Sequence, residues 1–293
     1  MNPNISLSQR YLNKLGISQS LAPTLDNLKI LLSRHLHSIP FGNVDSFLGN
    51  EVSLDIDSLS HKLLEQDREG YCLEHSSLIA IVLRELGYDA FNVLARVYYE
   101  QVAVEAPNRT HLVTVVRFAD DQLFLFDPNF GGMTPTQVLS LDLIDEAQHT
   151  PHENFRFIAA SETGLGASAL TDMKVMLQVY LNGRWLNLYA LNPEQIPAKS
   201  DIMIANWFVS TSPKSLFTQD LIFSVITDEG RVNFRNGQLS IYGENKIVKR
   251  QLTTFEEIQD VLTTTFKLNT QSINFQKVMM KLERLDFSSP EHQ

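Results

Sequence analysis

Residues 68–78 read Arg68-Glu69-Gly70-Tyr71-Cys72-Leu73-Glu74-His75-Ser76-Ser77-Leu78, and Cys72 is the one cysteine among 293 residues. A glycine-bearing loop precedes it. Behind it, small or apolar residues recur at Cys72, Ser76, Ile79, Leu83 and Leu86, the stripe of a helix. Leu78, Ile81 and Val82 cover much of the rest, so the helix is expected to be buried on most sides and to stop at Gly87. The thiol thus stands in the first turn, where unpaired N–H groups favour the thiolate that acts as nucleophile. The alternative is a small buried hydrophobe, the usual state of a free cysteine.

On the N-terminal side, Leu25, Leu28, Leu31, Leu32, Leu36 and Ile39 keep helical spacing until Pro40, so residues 1–87 read as helical. After Gly87 the rhythm becomes that of strands: AFNVLARVYYE, THLVTVVRF, QLFLFDPNF, KVMLQVYL and RWLNLYAL. Turn chemistry at Ala119-Asp120-Asp121 and Asn182-Gly183 separates them. Short strands at this spacing predict a sandwich or barrel over 88–192. The stretch 193–293 mixes a helix (Asp201 to Phe208), strands (LIFSVIT, RVNFRNG, QLSIYG) and a final helix near Phe255 to Leu262. The acidic tract from Asp142 to Leu170 is expected to be a mobile loop.

This length supports two or three packed units, and 43% hydrophobic with 20% charged residues is ordinary for a soluble globular protein. No apolar run reaches the about 18–20 residues that span a bilayer, and MNPNISLSQRYLNKLG lacks the layout of a secretory signal. A lone cysteine forms no internal disulfide; together these features predict a cytoplasmic protein. A net charge of −10 argues against a broad nucleic-acid surface, while leaving room for a small basic patch that holds a phosphorylated ligand.

A nucleophilic thiol needs a base, and the base needs an orienting partner. His111 opens THLVTVVRF and Asp127 closes QLFLFDPNF, two strands joined by a hairpin. A two-residue Asp120-Asp121 turn pairs Asp127 with Thr114 and puts Asp127 and His111 on opposite faces. A three-residue loop or a bulge pairs His111 with Asn129 and makes Asp127 its diagonal neighbour on one face. Register therefore decides between a catalytic pair and the plain alternatives, a strand histidine and a turn aspartate before Pro128. His35 and His37 face different sides of a helix, and with neither HExxH nor CxxC no metal site is expected. His75 lies at i+3 from Cys72, close enough to affect it. Gly131-Gly132 could admit a phosphate or a pantetheine arm, although paired glycines more often mean only a turn.

The chain resembles the arylamine N-acetyltransferases. The likeness runs through Tyr11-Leu12-Asn13-Lys14-Leu15-Gly16-Ile17, His35 to Asn43, REGYCLEHSSL, Arg109-Thr110-His111-Leu112, Asp127 to Gly132, Asn206 to Pro213 and Asp228 to Arg231. It implies an α+β chain of three domains: an N-terminal helical bundle (1–87), a central β-barrel (88–192) and a C-terminal α/β lid (193–293). These surround a cysteine-protease-like Cys72-His111-Asp127 core. It also implies ping-pong transfer of acetyl from acetyl-CoA, through a Cys72 thioester, to an aromatic amine, hydrazine or N-hydroxyarylamine. Phe41, Tyr71 and Phe130 match the aromatic surroundings of the acceptor, or serve only as core. Gly131, Gly132 and Thr134 match the segment near the donor's phosphates.

The departures from the family pattern are local. Glu69 replaces the first of two glycines, and Pro-Phe-Glu-Asn becomes Pro40-Phe41-Gly42-Asn43. Asp-Val-Gly-Phe-Gly becomes Asp127-Pro128-Asn129-Phe130-Gly131, and Ser76 stands where asparagine is common. Glu69 is expected to put negative charge near the thiol and to oppose an anionic donor, while Pro128 and Asn129 reshape the pocket wall. These changes keep open an amide synthase taking a longer acyl group from an acyl carrier protein. A thiol hydrolase and a catalytically silent binding protein are the remaining readings.

Overall fold

Leu28, Leu31, Leu32 and Leu36 bury one stripe of the helix Leu25–Ser38, which Thr24 caps by accepting the Asn27 N–H at 3.3 Å. Ile39 is already extended, as a residue before proline must be. The helix Cys72–Glu85 begins where Glu74 reaches back to the Tyr71 N–H (3.1 Å) and ends ahead of Gly87, whose φ of 91° suits glycine. The computed structural model describes residues 5–99, 101, 103–243 and 246–285, so Glu100, the last residue of the expected AFNVLARVYYE strand, lies outside them.

Eight antiparallel strands form a nearly closed barrel. Their order is Leu139–Ser140, Leu123–Phe126, Arg109–Arg117, Asp89–Val97, Arg184–Leu191, Val175–Leu181, Asn154–Ala159 and Gln148–His149. The two outermost strands meet through one side chain. The Gln148 amide donates to the Ser140 carbonyl and accepts its N–H, each at 2.8 Å, as a peptide group would. The tract from Asp142 to Leu170, expected to be a mobile loop, therefore supplies two barrel strands. Phe155 and Phe157 point into the core, while Arg156 covers Trp185 at 4.4 Å and pairs with Asp145.

The hairpin between Arg109–Arg117 and Leu123–Phe126 has the odd loop that the catalytic reading requires. Thr114 faces Phe126 and Arg117 faces Leu123, and the Phe118 N–H closes the loop on the Gln122 carbonyl at 2.9 Å. Asp120 and Asp121 both adopt left-handed backbone (φ 59°), which aspartate tolerates better than most residues. Continuing this register sets Asn129 opposite His111 and Asp127 diagonal to it.

A second antiparallel sheet runs Phe41–Gly42, Ile222–Thr227, Gly230–Arg235, Gln238–Tyr242 and Ile247–Gln251. Its first strand comes from the helical third of the chain, with Phe41 opposite Ser224. Two helices cover the sheet: Phe255–Thr264 and a further one, Phe275–Arg284, beyond the expected last helix. Phe275, Val278, Met279 and Leu282 form its buried stripe. The helix Lys199–Thr211 packs on the histidine-bearing strand. Among the described residues no helix is long and apolar enough to cross a membrane.

Candidate active site

Cys72 enters the site on the first turn of its helix, 3% exposed, and its thiol donates to the Thr110 carbonyl at 3.6 Å. That carbonyl is presented by an irregularity in the sheet. Ala95 pairs with His111 and Arg96 with Arg109, so Thr110 is the extra residue of a bulge. His111 Nε2 lies 2.9 Å from Asp127 Oδ2, and the ring is near enough to Cys72 for the sulfur to favour its protonated form. Nε2 being held by the carboxylate, Nδ1 is the ring nitrogen left to serve sulfur. Burial alone would strip the His111 proton; the adjacent Asp127 carboxylate, aided by Cys72, outweighs it and raises the ring to about 10.

One further side chain and one backbone N–H complete the acid's surroundings. The Tyr189 hydroxyl donates to Asp127 Oδ2 at 2.5 Å, and the Asn129 N–H to Oδ1 at 3.3 Å. Tyr189 also stacks obliquely on His111, with ring centroids 4.7 Å apart. Its strand partners Val175–Leu181 and Asp89–Val97 fix it there, and nothing near Tyr189 in the sequence announces a role beside Asp127.

Glu69 does not burden the thiol as expected. It is wholly buried, and Arg68 grips it with Nε and Nη2, both at 3.1 Å. Arg68 also reaches Asp45 at 3.2 Å, while Lys62 joins Asp45 (2.7 Å) to Glu74 (2.6 Å). Although burial opposes its charge, Lys62 and Arg68 hold Asp45 down at about 2. Gly42 is hemmed in by two neighbours. A Cβ there would stand 2.5 Å from Glu69 Cγ and 2.6 Å from the Phe223 ring, so both Glu69 and Phe223 oppose a side chain at 42.

Phe41 is buried against Phe217 (centroids 5.7 Å), and the buried Tyr71 hydroxyl bonds Asn206 Oδ1. Phe130 stands half-buried, edge-on to His111 at 4.9 Å. Gly131 has φ 68°, and a Cβ on Gly132 would meet Asn233 Nδ2 at 2.7 Å. The Thr134 hydroxyl is committed internally, donating to the Asp127 carbonyl at 2.7 Å. A cleft of about 410 Å³ is lined by Leu94, Thr110, Ala205 and Phe208, with Arg109 and Asp201 among its polar residues; it adjoins the thiol through Thr110, while Cys72, His111 and Asp127 lie outside its lining. Leu94 and Ala205 belong to the same packed cluster as Cys72. Sequence reading did not single out Arg109, Asp201 or Phe208 as lining residues.

His35 is buried and His37 is not, so the two do face apart. His75 instead meets His35, Nδ1 to Nε2 at 2.8 Å, and Tyr11 caps the chain at 2.9 Å. Burial keeps His35 well below its ordinary range and His75 at about 4. Among the described residues no group of three or more His, Cys, Asp or Glu gathers as a metal site.

A helix-borne thiol facing a histidine–carboxylate pair on a barrel is the arrangement of an acyltransferase. The family model for N-acetyltransferase matches residues 24–275. Arylamine N-acetyltransferase from Mycobacterium tuberculosis is 33% identical over 267 residues, 90% of this chain and 89% of that protein. The Salmonella typhimurium arylamine N-acetyltransferase/N-hydroxyarylamine O-acetyltransferase is 29% identical over 246 residues, 84% and 82% of the two chains. The structure of Mycobacterium marinum arylamine N-acetyltransferase in complex with CoA superposes with a TM-score of 0.83 at 30% identity, covering 94% and 98%. The chain belongs to the arylamine N-acetyltransferase family.

Proposed function

We propose that this enzyme moves an acetyl group from acetyl-CoA to the nitrogen of an arylamine, hydrazine or related small amine, in two half-reactions through a thioester on Cys72. The observation that carries this is a buried thiol bonded to the Thr110 carbonyl, one residue from His111, which Asp127 holds at 2.9 Å. The CoA complex of the Mycobacterium marinum relative supports the donor, and the arylamine relatives support the acceptor.

With its proton affinity raised by Asp127, His111 holds the proton and Cys72 attacks as thiolate. The sulfur adds to the thioester carbonyl, CoA leaves as thiol with the proton from His111, and acetyl-Cys72 remains. One thioester replaces another, so this half is near thermoneutral. The acceptor nitrogen then adds to acetyl-Cys72, His111 takes its proton, and the amide leaves as the Cys72 thiolate is restored. Asp127 keeps the ring oriented throughout. The first-turn amides of the Cys72 helix face the developing oxyanion.

Acceptor selection is assigned to the cleft, where Phe208 and Leu94 offer an apolar wall and Asp201 a carboxylate. Phe41, Tyr71 and Phe130 surround the reacting centre. The donor's phosphate arm is assigned to the Gly131-Gly132-Thr134 segment, where Gly132 keeps partial exposure beside buried Gly131 and Thr134. The cytoplasm, where thiols stay reduced, is the proposed site of action.

Intact-mass spectrometry after incubation with acetyl-CoA tests this reading. One acetyl increment is expected on the wild type and none on Cys72→Ala. Labelling only by a longer or carrier-bound acyl group would overturn the donor assignment.

A further inference from the structure

Ser76, on the nucleophile's helix, and Asn129, on the acid's loop, meet across a buried contact. In the fold these two fully buried residues touch: Asn129 Nδ2 donates to Ser76 Oγ at 3.0 Å and to the Cys72 carbonyl at 3.4 Å. Ser76 Oγ donates in turn to the Leu112 carbonyl at 2.6 Å, beside His111. The Asn129 backbone N–H meanwhile holds Asp127 Oδ1 at 3.3 Å, and the next residue, Phe130, packs edge-on to His111.

We propose that Asn129 is a positioning residue whose side-chain amide couples the acid's loop to the nucleophile's helix, so that residues 76 and 129 act as a pair. One residue thereby ties the backbone of Cys72 to the carboxylate of Asp127 and sets the spacing that His111 must bridge. Removing the Asn129 side chain breaks the side-chain amide link from this loop to the Cys72 helix, and Ser76 is too short to replace it. Asparagine added at 76 while Asn129 remains puts a second amide into a fully buried contact. Asparagine at 76 with glycine at 129 keeps a single amide between the two positions.

The proposal rests on the assignment of Cys72 as nucleophile, but its test does not depend on acetyl-CoA. Cys72 is the only cysteine, so iodoacetamide reports on that thiol alone. Alkylation rates are measured from pH 5 to 9 for wild type, Asn129→Gly, Ser76→Asn and the double exchange that combines these two substitutions, with melting curves to establish folding. Each single variant is expected to alkylate about ten- to a hundredfold more slowly at neutral pH and to lose the wild-type pH profile, the effect of a misplaced partner. The double exchange is expected to recover both. A wild-type profile in Asn129→Gly overturns the proposal. So does a double variant whose loss equals the product of the singles. If a single variant does not fold, recovery of folded protein in the double supports the pairing and its absence overturns it. Labelling of wild type by acetyl-CoA is scored separately, so failure of the donor assignment leaves this comparison intact.

Discussion

The Tyr189 hydroxyl sits 2.5 Å from the Asp127 oxygen that also faces His111 at 2.9 Å. One carboxylate oxygen thus serves two partners from strands that a single strand, Asp89–Val97, separates. Tyr189→Phe removes one donor and leaves the ring stack in place. A hydrogen bond to a charged group contributes about 1.5–3 kcal/mol, so acylation of Cys72 should slow by about ten- to a hundredfold. Single-turnover acetylation followed by mass spectrometry measures this; an unchanged rate would remove Tyr189 from the mechanism.

Asp127→Asn keeps the shape but not the charge that raises His111. With the tautomer no longer held, Cys72 acylation should fall by about 10³–10⁴. Rapid-quench kinetics beside a thermal melt would separate this from misfolding. A loss below about tenfold contradicts the assigned role.

Histidines on the two sides of the site pull stability in opposite directions with pH. Burial lowers His35 and His75 below the unfolded 6.5, so the folded state loses stability as pH falls from 6.5 through about 4. Asp127 raises His111, so its contribution is complete below 6.5 and is lost as pH rises towards about 10. Urea unfolding from pH 4 to 10 should therefore give an apex near pH 6.5. A plateau from 4.5 to 6.5 would argue against the buried His35–His75 pair.

Glu69→Gln breaks the fork with Arg68 and strands a buried cation. Disrupting one partner of a buried pair costs about 3–5 kcal/mol, reduced here because Asp45 remains 3.2 Å from Arg68. A loss of about 2–3 kcal/mol is expected in denaturant titrations, and a neutral result would mean that Asp45 suffices.

Phe208→Ala enlarges the cleft without touching Cys72, His111 or Asp127. With that wall assigned to the acceptor, as proposed above, it should raise KM for an arylamine about tenfold while leaving acetylation of Cys72 unchanged. Steady-state assays on both half-reactions decide. An equal effect on both halves would place the acceptor elsewhere.

Much of this was legible where chemistry and structure share a local signal. The Cys72 helix declares itself through its stripe and Gly87, and the hairpin question reduced to whether the loop was odd or even. Loop parity depends on the left-handed backbone of Asp120 and Asp121, which many sequences accommodate. The barrel strands in 142–170 were hidden for a different reason. Gln148–His149 and Leu139–Ser140 are two residues each, too short for any alternation to register, and Asn154–Ala159 lies among acidic residues whose partners are distant. Glu153, for example, pairs with buried Arg231 at 2.6 Å. The Phe275–Arg284 stripe was readable, but the polar cluster Asn269 to Ser272 resembles the end of structure rather than a pause. Tyr189 and Asn129 reach the site only through tertiary contacts that no local pattern encodes.

Phe41 lies between Gly70, beside the thiol's loop, and Ser224, far along the chain. A ribosome making this protein releases Cys72 long before the strand that backs its pocket exists. The emerging thiol, its helix already able to form, must wait with one wall missing until residues past Ser224 have been synthesised. Chain synthesis itself thus delays the moment at which the nucleophile is complete, and a prematurely terminated chain would carry the cysteine without the enclosure that gives it a use.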